Sequence, residues 1–182
     1  MLFRSGGASA ALAAAAGANV TVFEMRQDRM DEMMRLGNNV TALYPYHDVV
    51  ASKVAAADLV VGAVLVTGAK APKVLTREML KGMEPGSVLL DIAIDQGGCF
   101  ETSRPTTWKE PTYVEEGVTH FCVTNMPGAV PQTSSQAICA AILPWVNKIA
   151  AGGDWRSNEA LARGVNVEGG RLVHPALQDM LS

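Results

Sequence analysis

The chain is poor in features that would commit it to nucleic acid, to a membrane or to a disulfide framework. Fifteen Lys and Arg stand against eighteen Asp and Glu, a formal net charge of −3. No global basic field therefore attracts nucleic acid. No stretch approaches the ~20 uninterrupted apolar residues of a membrane span, and residues 59–66 fall far short. Only three cysteines occur, Cys99, Cys122 and Cys139, an odd count with no C-x-x-C pair. With no secretory signal in the opening residues, the expectation is reduced thiols in a cytoplasmic protein. A strand before the first glycines is also missing. Residues 1–5, MLFRS, lead straight into Gly6-Gly7 and an alanine run. Glycine turns in dinucleotide folds follow a strand. The expectation is a reading frame without its first strand, its opening residues partly non-native.

What remains is an apolar, alternating chain. It has 182 residues, of which 48% are hydrophobic, enough to bury a core in one sizeable domain with an appendage. Residues 8–16 are almost all alanine, the best helix former. Short strands are predicted at 20–23 and 40–43, with longer apolar strands at 59–66 and 87–94 and a last one at 120–123. Helical spacing occupies 27–36 and 47–57, and Thr76 offers an N-cap hydroxyl with Glu78 in the first turn. Strands alternating with helices predict an α/β fold of Rossmann type, a doubly wound parallel sheet lacking its first strand. After Pro131 a long apolar helix is expected over 133–150, although Pro144 should kink or end it. The domains read as 1–130 and 131–182.

Four places carry candidate chemistry. The first is Gly6, followed by a helix, a strand and Glu24. In G-x-G-x-x-G folds the third glycine permits close helix–strand packing, and an acid about 20 residues on binds the ribose hydroxyls. With Gly6 as third glycine, the first two would fall at Met1 and Phe3, where glycine is absent. An acid at Glu24 repels a 2′-phosphate and favours NAD, while Arg26 nearby pulls the other way. The second is the loop 66–72, VTGAKAP, after a buried strand, whose Gly68 allows close backbone approach; Lys70 alone reads as a solvated charge. The third is 91–105, DIAIDQGGCFETSRP. Asp95 stands just past a strand end and two glycines follow it. Asp91 and Arg104 read as anchors of the loop, and Cys99 as a buried spectator thiol. The fourth is 123–131, VTNMPGAVP, a rigid turn presenting Asn125 and Met126 to a planar ligand.

Residues 91–107, DIAIDQGGCFETSRPTT, resemble the bacterial alanine dehydrogenase signature. So do 64–72, VLVTGAKAP, and 125–131, NMPGAVP. The tail around residues 164–166 looks similar too, so the resemblance runs from about Gly6 to the C-terminus. It implies a two-domain subunit: a Rossmann domain here, with the last segment of the substrate domain. The first substrate-domain segment would be missing. It implies reversible oxidative deamination of L-alanine to pyruvate and ammonium with NAD. By motif, Asp95 would be the catalytic carboxylate. Gly6, Glu24, Val64, Leu65, Ile92, Asp95, Val123, Asn125 and Met126 would contact the cofactor. No metal, nucleic acid or membrane is implied, and a homohexamer is. The alternative is the NAD-binding subunit of a proton-translocating nicotinamide nucleotide transhydrogenase, against which the uninterrupted FETSRPTT argues. A pure NAD-binding scaffold is a further class.

Overall fold

The computed structural model describes residues 5–64, 66, 71–175 and 177–178. They divide into two compact units, which break between Thr124 and Asn125.

The first unit alternates helix and strand. It runs α1 (Ser5–Ala15), β1 (Val20–Phe23), α2 (Gln27–Met34), β2 (Val40–Leu43), α3 (His47–Ala55) and β3 (Leu59–Gly62). It continues with α4 (Arg77–Leu80), β4 (Val88–Asp91), β5 (Thr112–Glu115) and β6 (Val118–Phe121). β1 pairs in parallel with β2, and β3, β4 and β6 are mutually parallel; β5 adds antiparallel to β6. The strands form two sheets, β1-β2 and β3-β4-β6-β5. Among the described residues no strand lies between β1 and β3. The parallel α/β architecture is the one the alternation of helices and strands predicts.

Several boundaries differ from the expected ones, each for a local reason. α1 begins at Ser5, through both glycines, because Gly6 sits against the strand end: a Cβ built there would be 3.0 Å from Ala63 Cβ. β3 ends at Gly62, where a Cβ would lie 2.3 Å from Phe100 Cζ and 2.4 Å from Cys99 Sγ. The strand expected over 87–94 stops at Asp91, whose carboxylate accepts from Ala93 N–H at 2.9 Å and turns the chain into a 3-10 segment, Ile92–Gln96. The strand expected at 120–123 is shifted to 118–121 by pairing with β5 across a Glu116-Gly117 turn, both at positive φ. Thr76 caps α4 by accepting from Met79 N–H. The core lies under β3 and β4, where Leu80, Leu89, Cys99, Phe100 and Val118 are essentially inaccessible.

The second unit contains α5 (Pro131–Ala150), α6 (Glu159–Arg163) and a two-residue hairpin, β7 (Val167–Glu168) with β8 (Arg171–Leu172). Pro144 lies inside α5, which continues for six residues beyond it to Ala150. No residue of α5 is buried.

Candidate functional site

Ligands of open α/β sheets bind beyond the carboxyl ends of parallel strands. Ala63 and Val64 follow β3, Ile92 and Asp95 follow β4, and Cys122 and Val123 follow β6. Because these three strands are parallel, these residues share one sheet edge. Val64 packs partly on the core, Val123 is fully buried and Ile92 half-buried. Leu65 lies outside the described residues, as does most of the VTGAKAP loop, including Gly68 and Lys70.

Glu24 directly follows β1, and its N–H donates to Leu43 O beside it. Its carboxylate Oε1 accepts from the N–H groups of Met25 and Arg26 at 2.8 and 3.1 Å. This turn holds the acid at the end of β1. Arg26 beside it donates to Asp28 through two bonds of 3.1 and 2.5 Å. The hydrogen bonds to Asp28 lead the shift of the Arg26 guanidinium above its ordinary value, and the reciprocal bonds hold the Asp28 carboxyl below its own.

Asp95 is exposed in the 3-10 segment, on a loop whose anchors are explicit. Asp91 is completely buried and accepts four bonds: Ala93 N–H on Oδ1, Cys99 N–H at 2.8 Å and Ser103 Oγ at 2.5 Å on Oδ2, and the Cys99 thiol at 3.4 Å. A buried carboxylate is tolerable only when satisfied in this way. Gly98 fits because its φ is +72° and a Cβ would stand 2.8 Å from Asp91 Oδ2. Burial, reinforced by the Asp91 charge, pushes the Cys99 thiol up to about 12, which makes it an inert spectator.

The loop continues into a stack absent from the sequence reading. Arg104 lies over the Tyr113 ring, 3.9 Å from its centroid, and Tyr113 stacks on His120 at 4.8 Å. His120 is fully buried: Nδ1–H donates to Val118 O, leaving Nε2 to accept from the Thr102 hydroxyl. Tyr113 OH donates to Thr102 O and accepts from Arg104 N–H. Burial raises the tyrosine's ionisation above its ordinary range. Lys73, also passed over in the sequence, donates to Gly97 O and Gly98 O at 2.8 and 2.9 Å. Among the described residues Gln96 Oε1 is buried without a hydrogen-bond partner on the same turn.

Asn125 and Met126 belong to the second unit. Asn125 has left-handed φ of 50° and precedes the 3-10 turn Met126–Ala129. Its carbonyl accepts from Gly128 N–H at 2.8 Å. Among the described residues no group of three or more His, Cys, Asp or Glu is arranged to hold a metal ion, and no helix is long and apolar enough to cross a membrane.

The chain is 47% identical over 176 residues to the alanine dehydrogenase of Halomonas elongata, covering 94% of this chain and 47% of that protein. A solved L-alanine dehydrogenase superposes with a TM-score of 0.85 at 43% identity, covering 97% of this chain and 50% of the other. A transhydrogenase from Sinorhizobium meliloti superposes at 0.75 with 26% identity, over 94% of this chain and 47% of its own. The chain thus spans about half the length of the curated relatives it matches. Residues 5–175 match the alanine dehydrogenase/PNT C-terminal domain, and the chain belongs to that family.

Proposed function

We propose that this chain supplies the dinucleotide-binding part of an NAD-dependent alanine dehydrogenase. Residues 1–130 form the cofactor domain in this reading and 131–182 a segment of the substrate domain. The reaction takes L-alanine, NAD and water to pyruvate, ammonium, NADH and a proton, reversibly. One observation carries the reading: Asp95, exposed on a turn pinned from both sides, stands beyond the end of β4 on the edge that also holds Val64 and Val123. NAD, when bound, supplies the hydride acceptor. With cofactor and substrate in place, Asp95 would orient the attacking water and stabilise the cationic iminium of the substrate, a preorganised charge of the kind that contributes most to catalysis.

The residues present fit that cofactor. Glu24 offers a carboxylate to the adenosine ribose, Gly6 lets α1 close on the end of β3, and Val64, Ile92 and Val123 supply an apolar wall along that sheet edge. Arg26 is paired with Asp28 at the surface while Glu24 would repel a 2′-phosphate, which favours NAD over NADP. The subunit assembles as a homo-oligomer in the cytoplasm on this reading. Calorimetric titration of the purified chain with NAD and NADP tests this cofactor preference. NAD should bind at least about tenfold more tightly, and Glu24→Ala should narrow the gap. Equal affinities, or no binding of NAD, would sink it.

A further inference from the structure

The turn after Asp95 leaves almost none of its backbone polar groups unassigned. Gly97 and Gly98 N–H donate back to Ile94 O and Ala93 O at 3.0 and 3.1 Å, and Cys99 N–H donates to Asp91. Gln96 O accepts from Ala71 N–H at 3.1 Å. The carbonyls of Gly97 and Gly98 both end on one side chain, the Lys73 ammonium. These two glycines are consecutive left-handed residues, φ +90° and +72°. Such a turn has few intrinsic restraints, because glycine visits left-handed and right-handed regions with similar ease. Groups beyond the two glycines therefore help select its shape. Asp91 does so from within, through N–H groups. Lys73 does so from without, through carbonyls, with charge of the opposite sign.

The reach of Lys73 is itself fixed. Residues 71–75 run alongside 96–101, laced by Ala71 N–H to Gln96 O, Val74 N–H to Cys99 O at 2.7 Å and Glu101 N–H to Leu75 O at 3.0 Å. Leu75 and Phe100 form a parallel bridge and are both buried. A long, exposed lysine loses rotamer freedom when held to two acceptors, so the two charge-assisted bonds must outweigh that cost. We propose that Lys73 is a positioning residue for Asp95: its ammonium, by binding both glycine carbonyls, sets the turn that fixes where the Asp95 carboxylate stands. The inference rests on the role given to Asp95 above.

Lys73 is exposed, so its substitution leaves the core intact. The test uses the whole chain with carbon-13 in its aspartate carboxyls, the Asp95 signal being assigned by its loss in Asp95→Asn. In Lys73→Met the Asp95 signal should be displaced or broadened. Exchange of the Gly97, Gly98 and Cys99 amides should quicken by about tenfold or more. Affinity for ADP-ribose, which lacks only the nicotinamide ring, should stay within about twofold. Lys73→Arg keeps two donors and should restore both the signal and the exchange rates, which a mere loss of net charge or of fold would not explain. An Asp95 signal in Lys73→Met that coincides with the unsubstituted chain, alone and with NAD, overturns the proposal. Should NAD fail to move the Asp95 signal in the unsubstituted chain while Lys73→Met still displaces it, the cofactor reading falls and the positioning by Lys73 stands.

Discussion

Gly98 and Gly97 adjoin in sequence and share a left-handed backbone, but only one of them is crowded. A Cβ at Gly98 would meet Asp91 Oδ2 and Ser103 Cβ, each at 2.8 Å, whereas one at Gly97 meets nothing within 4 Å. Gly98→Ala should therefore cost about 2–4 kcal/mol, strain plus overpacking, and Gly97→Ala only about 1–2 kcal/mol, in urea unfolding. Equal costs would mean that Asp91 and Ser103 do not close on the turn. The thiols separate in the same way. Cys99 and Cys122 are buried and burial raises both; Cys139 is exposed. Ellman's reagent at neutral pH should titrate one thiol in the native chain and all three in denaturant, and a second fast thiol would contradict the burial. Folding raises the Cys99 value from 9.0 to about 12, so the protonated thiol favours the native state. That contribution is whole below pH 9.0 and lost as the pH climbs toward about 12. Cys99→Ala should flatten the alkaline fall in stability. On the proposed function, replacing Asp95 by Asn should lower kcat/KM for alanine by about 10²–10³-fold, with NAD affinity little changed. Unaltered turnover would remove Asp95 from the chemistry.

Elements were legible where their signals are local. Val40–Leu43 is β-branched and apolar and forms the strand it predicts, and Thr76 caps α4 as its hydroxyl and spacing imply. The hairpin of β5 and β6 escaped because its turn, Glu116-Gly117, has only a glycine and an acid to announce it, and because β5 alternates half-buried and exposed residues without an apolar run. The hairpin of β7 and β8 is only two residues a side, too short for any periodicity. α5 shows the opposite case. Its composition predicted one long helix, Pro144 predicted a break, and the composition prevailed. Proline still removes the N–H that would reach the Ala140 carbonyl and crowds that carbonyl with its ring. Since α5 buries no residue, no packing repays this locally. Pro144→Ala should stabilise the helix by about 1–3 kcal/mol, visible as slower amide exchange over residues 145–148. Exchange as fast as before would place the weakness of α5 elsewhere than at Pro144.

At the scale of the molecule, the parallel α/β plan and the place of Glu24 just past β1 could be read from alternation and from residues past apolar runs, whereas β4 ends at Asp91, before Asp95, and β6 at Phe121, before Val123. The supports of Asp95 could not be read in this way. Lys73 meets Gly97 and Gly98 across more than twenty residues of sequence, and no periodicity encodes a lysine that turns back to two carbonyls. The sheet itself is divided, and its hydrogen-bond phase says which groups face the division. Val20 N–H donates to Asn39 O and Glu24 N–H to Leu43 O, so in parallel register the amides of Val20, Val22 and Glu24 turn toward β2. Those of Thr21 and Phe23 turn the other way. On the far sheet Val88 N–H donates to Asp58 O, which directs Val60 and Gly62 toward β4 and leaves Leu59 and Val61 pointing outward. Among the described residues neither outward row meets a strand. Unpaired edges of this kind invite association with further strands. Residue-resolved hydrogen exchange should consequently alternate. Thr21, Phe23 and Val61 should exchange fast, and Val22, Val60 and Gly62 slowly, by about a hundredfold or more. Uniform protection along β1 and β3 in a dilute monomer would mean that both edges are paired, and the two-sheet description would have to be abandoned. Protection that appears only as concentration rises would identify the open edges as the surface through which chains associate.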